Sequence, residues 1–121
     1  MQSQNLLNSS IPNTLEEAVE VLFSCLEQSD IDYVKQNSDD GMHFGIGMWI
    51  RNHWGLWTGG PLAQYFNSLK IGHADDMSGL ILTALVRKIK KEEFVLEYHV
   101  NYYIKYWNDK NIDSLTQKPL N

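Results

Sequence analysis

Residues 42–57 read MHFGIGMWIRNHWGLW, and no other segment constrains the architecture as strongly. At about 100° per residue, His43, Gly47, Ile50, Trp54 and Trp57 share one helical face. Met42, Ile46, Trp49 and His53 flank that face, and only Gly45, Asn52 and Met48 lie opposite. A helix that is apolar nearly all round is a buried one, so the spacing predicts a central helix over 42–57. Gly45 and Gly47 each weaken such a helix by about 1 kcal/mol relative to Ala. Two weakening glycines point to close approach by another helix or by a ligand.

The flanking segments also read as helices. Thr14-Leu15-Glu16-Glu17 is a capping box, and Leu15, Ala18, Val19, Leu22, Cys25 and Leu26 follow at helical spacing, which predicts a helix over 14–28. Ser29 caps a short helix that ends near Asn37, and Ser38-Asp39-Asp40-Gly41 is a turn. Downstream, Thr58-Gly59-Gly60 breaks the chain and Pro61 suits the first turn of a helix that Gly72 stops. His73 to Ser78 opens a strongly apolar helix whose two aspartates favour its N-terminus and whose Arg87, Lys88, Lys90 and Lys91 favour its C-terminus. A last helix runs from about Glu93 to Trp107, with Val95, Leu96, His99, Tyr102, Tyr103, Tyr106 and Trp107 on a broad face. No alternating strand pattern and no repeat interrupts this series. The expected fold is an all-α single-domain bundle over 14–107, of about five or six helices around the Trp-rich one. Residues 1–13 are expected to be a flexible arm and 108–121 a polar tail.

Length and composition agree with one domain, since 121 residues with 43% hydrophobic content bury a core without staples. A net charge of −5 disfavours nucleic acid and anionic membranes as partners. No apolar stretch approaches the roughly 18 residues needed to span a bilayer. Cys25 is the sole cysteine, so no intramolecular disulfide forms, and its place in a helical pattern suits a small buried residue. The N-terminal residues lack the basic and apolar regions of a signal peptide, which makes the cytoplasm the expected location.

His43, Gly47 and Arg51 follow one another at i+4 steps and form a slanting row with a notch at the glycine. An imidazole and a guanidinium around a notch suit a carboxylate, a phosphate or a partner's acidic side chain. The plainer reading pairs Arg51 with Asp75 or Asp76 to pin two helices. His73, Asp75 and Asp76 resemble a metal set only weakly, because consecutive Asp side chains on a helix diverge by about 100°. N-capping explains them better. His53 and His99 read as boundary histidines. The chain lacks G-x-S-x-G, Walker A, H-E-x-x-H and CxxC motifs, so no catalytic residue, metal or cofactor is expected.

The chain resembles a family of small bacterial proteins classed as a domain of unknown function. The resemblance rests on P-x-T-L-E-E-A at Pro12–Ala18, H-F-x-x-G-x-x-I-R-N-x-W-x-L-W at His43–Trp57 and H-x-D-D-M-S at His73–Ser78, and covers roughly Pro12 to Trp107. It implies no activity, but it points to His43, Arg51, Asn52, Trp54, Trp57, Asp75, Asp76 and Ser78. With Gly47, these are the candidate binding residues. The expected function is that of a non-enzymatic interaction protein, an immunity protein or antitoxin that blocks a partner such as a toxin. An acidic helical surface with aromatic anchors suits a basic partner face. The alternative is a small-ligand binder or unfamiliar enzyme built on His43, Arg51, Asp75 and Asp76.

Overall fold

The computed structural model describes residues 1, 3–37 and 44–121. Among them the chain is all-helical, with seven helices: α1 Ser3–Leu7, α2 Leu15–Ser24, α3 Gln28–Gln36, α4 Gly47–His53, α5 Pro61–Ser68, α6 Ala74–Lys90 and α7 Leu96–Asp109. An isolated antiparallel bridge, Ile112 to Pro119, is the one extended pairing among the described residues.

The organising helix is α6. Its buried residues Ala74, Met77, Leu80, Ile81, Ala84, Leu85, Val86 and Ile89 recur at three- and four-residue steps on both flanks. Helices α2, α3, α4 and α5 all pack against it. Burying each Leu or Ile side chain contributes about 1.5–3 kcal/mol, so this helix is the main source of core stability. Helix α7 differs: Val100 is its only fully buried residue.

The Trp-rich segment therefore takes another place than expected. A continuous central helix over 42–57 is not what forms; Met42 and His43 lie outside the described residues, and α4 covers only Gly47–His53. Its bounds come from two glycines, Gly45 at φ +61° and Gly55 at φ +69°, in the left-handed region that interrupts an α-helix. The Gly55 carbonyl then accepts the amides of Thr58 and Gly60, which turns the chain into α5.

Other ends shift by local chemistry. Thr14 Oγ1 accepts the Glu17 amide at 3.2 Å, as the capping box requires, while Glu17 reaches back one residue further than expected, to the Asn13 amide at 2.7 Å. Thr14→Ala is expected to cost about 1 kcal/mol, read as a lower urea midpoint at unchanged slope. Glu27, not Ser29, caps α3, and its amide donates to Asp30 Oδ2 at 3.0 Å. The left-handed residue that follows α5 is Lys70 rather than Gly72: Lys70 sits at φ 68° and the Ile71 amide donates to the Phe66 carbonyl at 3.0 Å, a Schellman end.

Both chain ends are tied down more than their composition suggests. Residues 1–13 contain α1, and Leu6 is buried in the core. The Met1 amine lies 2.8 Å from Asp30, whose hydrogen bond raises the amine pKa. The C-terminal segment folds back on the α5–α6 connection. The buried Ser114 hydroxyl donates to the Lys70 carbonyl at 2.7 Å, and the Gly72 amide donates to the Ser114 carbonyl at 3.0 Å.

Candidate functional site

Two openings flank the first turns of α6. The first is a cavity of about 420 Å³ beside Gly47, between α4 and α6. Gly47, Arg51, Asp75 and Ser78 line it, together with Gly79, Thr83 and Tyr103. Arg51 Nε lies 3.2 Å from Asp75 Oδ1, and Arg51 Nη1 donates to Ser78 Oγ at 2.9 Å. The Ser78 hydroxyl donates onward to the Asp75 carbonyl at 3.0 Å. A Cβ on Gly47 would stand 3.0 Å from Arg51 Nη1, so the notch in α4 is where the guanidinium lies. Arg51 thus ties α4 to α6, and its charge is matched by Asp75. The pair is partly solvated, which limits its worth to about 1 kcal/mol or less.

The second opening is a cleft of about 330 Å³ between the start of α6 and α7. His73, Asp75 and Asp76 form one wall; Tyr102, Tyr103, Tyr106 and Trp107 form the other. The Trp107 indole N–H donates to Asp76 Oδ2 at 2.8 Å. The His73 ring stacks on Trp107 with centroids 5.9 Å apart, and Trp57 meets His73 edge-on at 5.8 Å. His73 caps α6, its Nδ1 accepting the Asp75 amide at 3.0 Å. Burial pushes the Asp76 carboxyl above the usual carboxylate range, against the opposing pull of the Trp107 hydrogen bond and of His73.

The residues singled out from sequence therefore divide. His43 lies outside the described residues. Gly47, Arg51, Asp75 and Ser78 converge on the first cavity; Asp75 also reaches the wall of the second, which Asp76 lines without touching the first. Asn52 is exposed on α4. Trp54 is a core residue, not a surface one, whereas Trp57 is exposed. His53 Nδ1 donates to the Trp49 carbonyl at 2.9 Å, and its ring stacks on the Trp49 ring at 4.5 Å; His99 stacks on Phe94 at 4.7 Å. Among the described residues no group of three or more His, Cys, Asp or Glu is placed to hold a metal ion. Among the described residues no helix is long and apolar enough to cross a membrane.

Sequence reasoning missed the part played by α7. Tyr103 lines both openings, and a Cβ on Gly79 would come 2.8 Å from its hydroxyl. Tyr98, Tyr102 and Tyr106 recur at i+4 and are 69%, 62% and 44% exposed, a tyrosine stripe along the outer face of α7. The spacing was visible; the side of the helix turned to water was not.

A family model described as a domain of unknown function (DUF6794) matches residues 11–89. No curated protein and no solved structure matches the chain.

Proposed function

We propose, for a chain that belongs to the DUF6794 family, a non-catalytic role as a module that binds a protein partner through the outer face of α7. The observation that carries this reading is the exposed stripe of Tyr98, Tyr102 and Tyr106. Tyrosines supply large contact area at low entropic cost and are enriched at interface centres. A stripe three residues long on one helix is more than the scattered apolar exposure of an ordinary surface. The net charge of −5 and the carboxylates at the end of the stripe suit a basic partner face. In its specific form the role is that of an immunity protein or antitoxin that covers a toxin's working surface in the cytoplasm. The lone buried Cys25 fits a reducing compartment.

A second reading, a small ligand beside Gly47, is supported by the 420 Å³ opening there. The pairing of Arg51 with Asp75 and Ser78 weakens it, because an entering anion must displace Asp75.

Photo-crosslinking in cells of the source organism tests the first reading. A benzoyl-phenylalanine at Tyr98 or Tyr102 is expected to give the same discrete protein adduct, while one at exposed Glu20 gives none. Absence of adducts, or identical adducts from all three positions, overturns it.

A further inference from the structure

We infer that the cleft between the start of α6 and α7 is the seat of an arginine side chain presented by the partner protein; this deepens the binding reading above and rests on it. The lining is aromatic on most sides, from His73, Tyr102, Tyr106 and Trp107, with Asp75 and Asp76 at its edge. Tyrosine and tryptophan ring faces and carboxylates both attract cations, and both repel anions. Asp76 gives only Oδ2 to Trp107; its Oδ1 has no hydrogen-bond partner among the described residues. The volume of about 330 Å³ lies at the low end for ligand sites and leaves room for a side chain to enter.

The geometry favours guanidinium over ammonium. A guanidinium is planar, stacks on aromatic faces and keeps its N–H edge free for a carboxylate, whereas an ammonium is a compact and strongly hydrated point charge. Burial disfavours the charged form of Asp76, and an arriving cation relieves that penalty. A half-buried carboxylate that weakens the free protein and is satisfied on binding is what a recognition residue looks like.

The test follows the Trp107 indole N–H by ¹H–¹⁵N NMR during titration with Nα-acetyl-argininamide, with Nα-acetyl-citrullinamide as the neutral isostere. The arginine derivative is expected to give a saturable shift at Trp107, and the citrulline derivative to bind about tenfold or more weakly. Asp76→Asn, which can still accept the indole hydrogen bond, is expected to lose that preference while its unfolding midpoint stays level or rises. Tyr102→Ala, at an exposed position, is expected to weaken the arginine response and serves where Asp76→Asn does not fold. Equal responses to both derivatives, or an unchanged preference in Asp76→Asn, overturn the proposal. A persisting Tyr102 adduct with a silent Trp107 overturns the arginine seat and leaves the partner reading standing. A responding Trp107 with no adduct overturns the protein source and assigns the cleft to a free organic cation.

Discussion

Gly72→Ala is expected to detach residues 112–121 from the body of the protein and to cost about 2–3 kcal/mol of unfolding free energy. The new Cβ would overlap the Leu115 carbonyl oxygen and stand 2.6 Å from its carbon. Both sides of that clash are backbone, so no change of rotamer relieves it. When the segment moves, it gives up the Gly72 amide bond to Ser114 and the Ser114 hydroxyl bond to Lys70. Each such bond contributes about 1 kcal/mol net, and Ser114 is buried, which raises the cost of leaving it unpaired. Urea denaturation measures the loss, and faster tryptic cleavage after Lys110 locates it. The decisive control is a chain that ends at Lys110. There Gly72→Ala has nothing to strike and is expected to change stability by no more than about 0.5 kcal/mol. A full-sized effect in the shortened chain would show that the glycine matters for some other reason.

Trp54→Ala and Trp57→Ala are expected to behave in opposite ways, although the two residues stand three apart. Trp54 is 2% exposed and lies in the core cluster. Removing a buried aromatic costs about 3–5 kcal/mol, a large share of the 5–15 kcal/mol that holds a small domain folded. Trp57 is 56% exposed and meets the edge of His73. Its loss is expected to change the unfolding midpoint by about 1 kcal/mol or less. Thermal melts with near-ultraviolet circular dichroism read both. Comparable losses in the two variants would place Trp57 inside the core and remove it from the exposed surface. Their divergence arises because the chain leaves the helix between them, at Gly55, so the expected shared face does not exist.

That case shows where the sequence informs and where it does not. The all-helical class was legible in residues 14–26 and 74–89, because apolar side chains recur there at the helical step and because Thr14 and Pro61 mark starts by known chemistry. Residues 42–57 misled because hydrophobic periodicity records side chains, and the interruption there is made by glycine backbones at positive φ. The tail misled because its attachment runs through Ser114 and main-chain groups, which polar composition conceals. At the site, a pairing of Arg51 with Asp75 or Asp76 was legible from charge and residue type, but not the choice of Asp75. The Trp107–Asp76 bond joins residues 31 apart in sequence, and nothing local announces it. The i+4 tyrosines were visible, yet α7 is amphipathic, and spacing alone does not tell which of its faces turns inward.

His73 caps α6 by accepting the Asp75 amide on Nδ1. The same ring lies between two indoles, with Trp57 edge-on to it and Trp107 stacked on it. One side chain therefore sets where α6 begins and also joins the loop after α4 to the far end of α7, so a change at this position would be felt in three segments at once.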